Sequence, residues 1–504
     1  MENKKPNILI VLSDQQRADT LSCFGVQSGI TPILDDIGRH GMIFERCYSV
    51  QPVCGPARAC IQSGRYATET GNFKNGCTLP EDTNTMSMYA KQMGYETAYI
   101  GKWHIYGDQG LIKKKREFDV PIKNRMGYDY WLASNALEFT SHAYDGYLFD
   151  SDNHKVPIEG YRADFITSKA IEYLENRDRE KPFFMVVSYL EPHQQNDLGK
   201  FTGPKGQAER FEKYGVPGDL KEGQGDWESE MPEYLSMCYN LDENVGRIRN
   251  ELLQEKEWEN TLFMYSADHG CHFKTRNGEY KRSCHDASTR VPLVVSGPGL
   301  DRGTNSSLLT SILDIPATAV YAMGGTIPDN YRGQPIQTLK EERPILIQIS
   351  EECSARAICY QNYKYCVSND AEGLQEDSST VYYEKFLYDL SKDPYEQNNL
   401  IEQEDYIEQK EMLKKKLLEL ILEVENKRPQ IKSARENPYY GIKYSFLMSL
   451  NQMLADEKAR KVLEEELPMI AHSKLVQLGA NIKFSFLNQY FSKIPILRKK
   501  SDAV

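Results

Sequence analysis

The chain lacks any long apolar run. The hydrophobic stretch near its start, residues 8–12 (ILIVL), is five residues long. A membrane-spanning helix needs about 20 apolar residues, and the core of a secretory signal peptide also exceeds this stretch. We therefore expect no membrane span. The expected location is cytoplasmic for the chain as written, and periplasmic or secreted if a leader has been removed.

The cysteines lack the paired spacing of common metal-binding motifs. There are 11 of them, and no two form a CxxC pair with zinc-finger spacing. An odd number scattered over so long a chain predicts mostly reduced thiols, although one disulfide remains open.

The chain also lacks an excess of positive charge. Its net charge is −12 and its pI is near 5.5. These values exclude a nucleic-acid-binding protein that relies on a broad basic surface. A local basic pocket remains compatible with them, because a substrate site depends on the local field rather than on net charge. No internal repeat or long low-complexity tract is present.

What the sequence does contain is an alternation of strand and helix patterns. At 504 residues, the chain is long enough for one large domain and a smaller one. Apolar runs predict strands at 7–12, 42–44, 96–101, 182–190, 261–266 and 291–296. Helical spacing predicts helices between Thr31 and Gly41, and at 84–93, 161–176 and 232–253. This alternation predicts an α/β fold: a large mixed, mostly parallel sheet with helices on both faces.

The pattern changes from about residue 345. Two strand-like runs, 357–367 and 381–390, flank a polar loop, and residues 406–427 have a charged helical pattern. We therefore predict three parts: a catalytic α/β domain (1–344), a smaller α+β subdomain around a short antiparallel sheet (345–428), and a helical C-terminal extension (429–504). The apolar and aromatic end of that extension packs either on the body or on a second copy of the chain. The sequence leaves both arrangements open, and with them a homo-oligomer.

Residues able to do chemistry recur just after the predicted strands. They are Asp14, Lys102, His104, His193, Asp268 and His269. Open α/β sheets place their ligand sites at the carboxyl ends of the strands. Any one of these residues is more often an ordinary loop residue or a solvated charge. Their shared position relative to four strands favours a common site.

The segment 54–65 (CGPARACIQSGR) predicts a short helix that begins at a cysteine. Pro56 suits a first helical turn, where its missing N–H is not needed, and Gly64 suits the end of the helix. A helix N-terminus offers free N–H groups to an oxyanion such as sulfate or phosphate. Arg58 follows one turn after Cys54, where it could brace the reactive group. The segment alone leaves open a buried structural cysteine.

Together these motifs resemble the type I sulfatases over most of the first 400 residues. The motifs are the segments 7–17, 54–58, 101–104, 192–193 and 268–270, a lysine at 281 before 290–292, and the C-terminal stretch 389–400. The resemblance implies an alkaline-phosphatase-like fold and a sulfuric ester hydrolase. It also implies that a maturing enzyme oxidises Cys54 to formylglycine, an aldehyde whose hydrate is the nucleophile.

The resemblance further implies the roles of the site residues. One divalent ion, expected to be Ca²⁺, would be held by Asp14, Gln15, Asp268, His269 and the hydrate formed from Cys54. Lys102 and Lys281 would clamp the sulfate oxygens. His193 would protonate the leaving alcohol, and His104 would act as base when sulfate departs.

The first metal position departs from the commonest family pattern. Gln15 stands where a second acidic residue is usual, so the site carries one negative charge fewer. His269 stands where Asn is frequent. Calcium remains the expected ion, but its affinity and its discrimination against Mg²⁺ or Mn²⁺ are in question.

A second departure lies at 281–286 (KRSCHD), where many relatives have Tyr-Glu in place of His285-Asp286. A Cys284–His285 catalytic pair is disfavoured, because adjacent residues rarely converge on one reacting atom. Arg276, Arg282 and His285 are instead predicted to contact substrate. A loop of solvated charges is an equal alternative.

Three functions follow from these motifs. The first is hydrolysis of a sulfate ester, on a carbohydrate. The second is hydrolysis of a phosphonate monoester or phosphodiester, which shares the scaffold, the formylglycine and the metal. The third is binding of sulfated glycans without cleavage. Its usual mark would be loss of Cys54, Arg58 or a lysine, and all are present.

Overall fold

The computed structural model describes residues 4–24, 29–107, 119–221, 225–351, 353–370 and 376–437. Most of the predicted C-terminal extension, including its apolar and aromatic end, lies outside these residues.

Eighteen strands occur in the described residues. In chain order they are β1 Asn7–Ser13, β2 Met42–Phe44, β3 Cys47–Tyr48, β4 Glu96–Lys102, β5 Tyr130–Ser134, β6 Tyr147–Phe149, β7 Lys155–Pro157, β8 Phe183–Ser188, β9 Thr261–Ala267, β10 Arg290–Val291, β11 Leu293–Ser296, β12 Thr304–Ser306, β13 Thr310–Ser311, β14 Ile345–Ile349, β15 Ser354–Tyr360, β16 Tyr363–Asn369, β17 Val381–Asp389 and β18 Gln430–Lys432.

Eleven α-helices accompany them in the same part of the chain. They are α1 Pro32–His40, α2 Cys54–Ser63, α3 Ala67–Thr70, α4 Met86–Gln92, α5 Leu137–Thr140, α6 Arg162–Asn176, α7 Gly218–Lys221, α8 Trp227–Gln254, α9 Asp286–Thr289, α10 Asp314–Ala322 and α11 Ile407–Glu425. Within this part, no helix is both long enough and apolar enough to cross a membrane.

The main sheet has ten strands in the order β12-β2-β11-β9-β1-β8-β4-β5-β6-β7. Its centre, β9-β1-β8-β4-β5, is parallel throughout, and antiparallel pairs lie toward both edges. β1 lies between β8 and β9, with Ile10 opposite both Val186 and Met264. The predicted mixed, mostly parallel α/β sheet is confirmed.

Helices cover both faces of this sheet. Leu9 and Val11 of β1 point into a core shared with α1, α6 and α8. Ile8, Ile10 and Leu12 point into the opposite core, which includes α2, α4 and α10. Burial on both faces explains why β1 is a continuous apolar run rather than an alternating one.

A second sheet, β14-β15-β16-β17-β18, follows in the chain and is covered by α11. Its first four strands are antiparallel neighbours, and β18 pairs parallel with β17. The predicted short antiparallel sheet is therefore confirmed. The domain boundaries remain a proposal: β14 begins at Ile345, but its side chains share one core with α2 and α4.

Two predicted strands differ from the structure. The run 291–296 is split into β10 and β11, because Pro292 has no N–H with which to continue a ladder. β11 belongs to the main sheet, whereas β10 belongs to a small sheet with the order β10-β3-β13. The run 357–367 is a hairpin of β15 and β16, since the chain turns at Gln361, whose φ is 51°. The helix predicted from Pro232 begins earlier, at Trp227.

Candidate active site

Four neighbouring strands bring their carboxyl ends to one edge of the main sheet. Asp14 directly follows β1, and Asp268 directly follows β9. Lys102 ends β4, and His193 lies five residues after β8. The backbone N–H of Asp268 donates to Ser13 O at 3.3 Å, which joins two of these ends. The parallel order β9-β1-β8-β4 therefore brings these predicted residues together.

Cys54 is the first residue of α2, as the sequence predicts. Gly64 ends the helix with φ of 66°, and its N–H donates to Cys60 O at 2.8 Å. In the first turn, the N–H of Gly55 donates to Asn75 Oδ1 at 3.0 Å. A Cβ atom at Gly55 would lie 2.9 Å from that oxygen and 2.9 Å from the backbone oxygen of His104. The entry to the helix therefore has no room for a side chain after Cys54.

Arg58 joins α2 to the buried carboxylates of Asp14 and Asp268. Its Nε donates to Asp268 Oδ2 at 2.9 Å, and its NH2 group donates to Asp14 Oδ2 at 3.0 Å. Its NH1 group donates to Lys102 O at 3.0 Å and to Ser188 Oγ. The guanidinium is 2% exposed and the carboxylates are fully buried. Arg58 thus fixes both acids and the ends of β4 and β8.

A buried cluster of potential ligands surrounds the Cys54 thiol. One ligand atom each from Asp14, Cys54, Asp268 and His269 lies within 4.8 Å of all the others. Cys54 Sγ lies 3.5 Å from Asp14 Oδ1 and 3.2 Å from His269 Nε2. Arg58 binds the Oδ2 atoms, and the Oδ1 atoms of Asp14 and Asp268 lie 3.7 Å and 3.6 Å from His269 Nε2. Asp268 Oδ1 also accepts hydrogen bonds from the backbone N–H groups of Gln15 and His269.

The donor set fits a divalent cation. His269 donates from Nδ1 to Gly270 O at 2.9 Å, which leaves the Nε2 lone pair available. The Oε1 atom of Gln15 is buried and has no hydrogen-bond partner among the described residues, while its Nε2 donates to Gln194 Oε1 at 2.6 Å. Two carboxylates, an orphaned amide oxygen and an imidazole nitrogen suit an ion that prefers oxygen ligands.

Two lysines flank the thiol. Lys281 Nζ lies 2.8 Å from Cys54 Sγ and 3.2 Å from both His193 Nε2 and His269 Nε2. Lys102 Nζ is fully buried and forms ion pairs with Asp14 Oδ2 at 2.8 Å and Glu138 Oε2 at 3.1 Å. These ammonium groups place two buried positive charges beside the carboxylates of the cluster.

The charges in this pocket alter its acid–base chemistry. Burial alone raises the pKa of a thiol, but Lys102 and Lys281 hold the pKa of Cys54 well below its usual value. A hydrogen bond from the His104 side chain acts in the same direction. Burial likewise opposes ionisation of Asp14, yet Lys102 and its neighbouring cations lower the pKa of that carboxyl. The pocket therefore stabilises negative charge at the position of Cys54.

Comparison with known proteins decides the family. Residues 6–325 match the Sulfatase family. This chain belongs to the sulfatase family. Residues 278–423 also match the C-terminal region of N-sulphoglucosamine sulphohydrolase. The protein is thus a sulfuric ester hydrolase, and its α/β fold is that of its family.

Individual relatives agree with this assignment. The chain is 26% identical to an N-acetylglucosamine-6-O-sulfatase of Bacteroides thetaiotaomicron, covering 82% of this chain and 86% of the relative. It is 27% identical to an ulvan-active sulfatase of Formosa agariphila, covering 90% and 86%. A solved structure described as BT4656 with its substrate D-glucosamine-2-N,6-O-disulfate shares the fold. Its TM-score is 0.68 at 24% identity, and the match covers 84% of this chain and 99% of that one.

In this sulfatase, all three predicted substrate contacts have partners within the chain, and two of them contact the region around β17. Arg276 donates to Tyr395 O at 2.8 Å and to Glu396 O at 3.0 Å. His285 is 4% exposed and packs on the Phe386 ring at 4.9 Å. Both serve the junction with the five-stranded sheet, so these contacts give no support to their prediction as substrate contacts.

Arg282 instead contacts groups next to the start of α2. Its Nε donates to Glu351 Oε2 at 2.8 Å, and its backbone N–H donates to Pro52 O at 3.3 Å. Glu351 also accepts a short hydrogen bond from the N–H of Asn75. Glu351, two residues after β14, therefore links Arg282 to Asn75, whose side chain accepts a hydrogen bond from the first turn of α2. The role of Arg282 toward substrate stays a prediction.

Three buried or half-buried residues near the site are not predicted from the sequence: Glu138, Asn75 and Glu351. Glu138 follows β5, a strand that sequence analysis did not predict, so its position just after a strand end went unused. Asn75 and Glu351 are 276 residues apart and carry no local motif. Only the fold brings them to the sulfatase site.

Proposed function

We propose that this sulfatase hydrolyses a sulfate ester on a carbohydrate, with formylglycine formed from Cys54 and one Ca²⁺ ion. The observation that carries the proposal is the Cys54 environment: Sγ lies 2.8 Å from Lys281 Nζ and inside the buried cluster of Asp14, Asp268 and His269. The carbohydrate is supported by relatives named for sulfated sugars and ulvan.

The modified residue and the cation supply what the unmodified chain cannot. The hydrated aldehyde, when present, provides a nucleophilic hydroxyl for sulfur and a second hydroxyl through which sulfate can leave. The cation, when bound by Asp14, Gln15, Asp268 and His269, neutralises charge on the sulfate oxygens.

The chain's own cations bind the substrate. Lys281 contacts Cys54, and Lys102 pairs with Asp14 of the same cluster, so both would hold the sulfate oxygens there. Both lysine side chains are shielded from water, since Lys102 is 0% and Lys281 is 5% exposed. Fixed charges act most strongly in such an environment. Arg58 contacts no substrate in this scheme. It keeps the two carboxylates and the first turn of α2 in register.

The two histidines handle protons in this scheme. His193 donates from Nδ1 to Gln194 O at 2.6 Å, so its Nε2 faces the pocket beside Lys281. From there it would protonate the oxygen of the departing alcohol. The His104 side chain, which helps to lower the pKa of Cys54, would take the proton that must be removed before sulfate leaves.

The experiment is a parallel assay on defined sulfated monosaccharides, 4-nitrophenyl sulfate, a phosphodiester and a phosphonate monoester. We expect sulfate release from at least one sulfated sugar, with much slower turnover of the phosphorus esters. Cys54→Ala should abolish it. Faster turnover of the phosphonate ester than of every sulfate ester would overturn the proposal, and so would undiminished activity of the variant.

Maturation has its own test. Peptide mass spectrometry of the Cys54 segment, from protein made with a formylglycine-generating enzyme, should show an aldehyde in place of the thiol. An unmodified thiol in fully active protein would contradict the formylglycine mechanism without contradicting the hydrolase.

A further inference from the structure

Glu351 is a half-buried carboxylate whose two oxygens bind two different segments of the active site. It lies two residues after β14, and its side chain is 12% exposed. Its Oε2 atom accepts a hydrogen bond from Arg282 Nε at 2.8 Å, and its Oε1 atom accepts a short one from the backbone N–H of Asn75. The proposed reaction assigns no role to this carboxylate.

The contact with Asn75 leads to the nucleophile. Asn75 Oδ1 accepts a hydrogen bond from the N–H of Gly55 at 3.0 Å, and Gly55 directly follows Cys54 in the first turn of α2. The first N–H groups of a helix have no partner within the helix, so this one is held from outside. Two successive hydrogen bonds therefore connect Glu351 with the residue next to Cys54.

The contact with Arg282 leads to the lysine beside the nucleophile. Arg282 directly follows Lys281, whose Nζ lies 2.8 Å from Cys54 Sγ. Its backbone N–H donates to Pro52 O at 3.3 Å, and its NH1 group pairs with Glu279 Oε2 at 3.1 Å. Two acidic partners thus hold this guanidinium, and with it the backbone next to Lys281.

Both members of the Arg282–Glu351 pair have an unusual backbone conformation. The φ angle is 65° at Arg282 and 74° at Glu351. Residues other than glycine rarely adopt this left-handed region. Such conformations persist where surrounding contacts hold them, and they cluster at functional sites. The ion pair is a contact of this kind at both positions.

The strand that carries Glu351 is itself fixed to the segment before α2. The N–H of Gln348 in β14 donates to Val50 O at 2.8 Å. Gln51 Nε2 donates to Ser350 Oγ at 2.7 Å. The five-stranded sheet therefore presents Glu351 to the active site from an anchored strand end.

We propose that Glu351 is a positioning residue that keeps the Cys54 nucleophile and Lys281 in register with each other. It does so by holding Asn75 with one oxygen and Arg282 with the other. The proposal rests on the proposed sulfatase reaction, in which the nucleophile attacks a sulfate group that Lys281 holds. A displacement near 1 Å between such groups costs about 10²-fold in rate. In this scheme Arg282 acts through Lys281 and does not contact substrate.

Two substrates of different size test the proposal. Glu351→Gln keeps the size of the side chain, but an amide has one acceptor oxygen and cannot offer a separate oxygen to each partner. We expect kcat to fall by about 10- to 10²-fold on both 4-nitrophenyl sulfate and a sulfated sugar, with KM changed less than about threefold. Glu342→Gln is the matched control, because it alters an Arg46–Glu342 pair just before β14, and it should match wild type.

A double variant tests whether the two contacts form one link. Arg282→Gln removes the same ion pair from the other side. We expect kcat of the double variant Glu351→Gln/Arg282→Gln to equal that of the less active single variant, since both changes break the same link. Losses that multiply would contradict the proposal.

The other outcomes are also distinguishable. A loss confined to the sulfated sugar and seen in KM would assign the pair to substrate binding and overturn the proposal. Unchanged kcat of Glu351→Gln beside an active wild type would overturn it as well, and would leave the proposed function standing. A wild-type enzyme that cleaves neither sulfate ester would overturn the proposed function, and this proposal with it.

A further variant covers a failure of Glu351→Gln to fold. Glu351→Gly then decides, because glycine adopts a φ of 74° without steric cost. A lower kcat of this variant on both substrates supports the proposal, and a wild-type kcat contradicts it.

Discussion

Lys281 Nζ lies 2.8 Å from Cys54 Sγ, although 227 positions separate the two residues in the chain. The contact forms because Cys54 begins α2 while Lys281 lies in the loop between β9 and α9, and both reach the same sheet edge. It places the Lys281 ammonium group in direct contact with the Cys54 thiol.

Replacing this cation should impair catalysis rather than folding. We expect Lys281→Ala to lower kcat by about 10²–10³-fold, the usual cost of removing one donor that stabilises charge in the transition state. Sulfate release under saturating substrate measures it. Lys181→Ala, in an exposed i,i+3 pair with Asp178, is the control and should retain full activity. A loss below about threefold for Lys281→Ala would contradict the assigned role.

Arg58 should matter to stability as well. Arg58→Met leaves two buried carboxylates without their shared partner, which typically costs about 3–5 kcal/mol. Urea unfolding monitored by fluorescence gives the free energy of unfolding. Arg39→Met removes a pair with Asp36 in which Arg39 is 69% exposed, and should cost under about 1 kcal/mol. Equal effects of the two changes would show that Arg58 does not hold the carboxylates.

Gly55 should tolerate no side chain. Gly55→Ala places a Cβ 2.9 Å from Asn75 Oδ1 and from the His104 backbone oxygen, so α2 must shift at Cys54. A displacement near 1 Å costs about 10²-fold in rate. Gly71→Ala is the matched control, because nothing lies within 4 Å of its Cβ and only its φ of 72° is unfavourable. That variant should lose about 1 kcal/mol of stability and little activity. Full activity of Gly55→Ala would refute the crowding argument.

The loss of activity on removing the divalent ion should be reversible. Dialysis against a chelator is expected to abolish activity, and added Ca²⁺ to restore it. Ca²⁺ at a hundredfold excess over its Kd should also stabilise the fold by about 2.7 kcal/mol, seen as a higher melting temperature. Asp268→Asn should lose most of that rise. An equal rise in the variant would place the ion elsewhere, and a larger response to Mn²⁺ or Mg²⁺ would correct its identity.

Because His272 is buried, we expect the fold to lose stability in acid. Burial lowers the pKa of His272 from 6.5 to about 4, and its Nε2 donates to Lys281 O at 3.1 Å. The folded state holds His272 in its neutral form. The contribution of His272 to the free energy of unfolding is therefore complete above pH 6.5 and is lost as the pH falls toward 4. The loss is about 3 kcal/mol. His272→Gln should flatten the dependence of the unfolding free energy on pH between these limits. An unchanged slope would mean that His272 is not buried in its neutral form.

Local patterns determined much of the fold. The four buried strands that carry the site were predicted within two residues at each end, because apolar runs bounded by turn residues are local signals. The helix 54–63 was predicted from Pro56 and Gly64 for the same reason. Pro292 and the turn at Gln361 each divide a predicted strand, because a proline cannot continue a ladder and the chain reverses at Gln361.

What only the tertiary structure decided is which strand ends are neighbours and what lies between them. The order β9-β1-β8-β4 follows from long-range packing, not from any local run. Glu138, Asn75 and Glu351 reach the site through contacts between distant segments, and a short polar residue in a loop has no local signature of such a contact. Sequence alone therefore determined the chemical groups available to this sulfatase, while packing decided their distances, their burial and hence their charges.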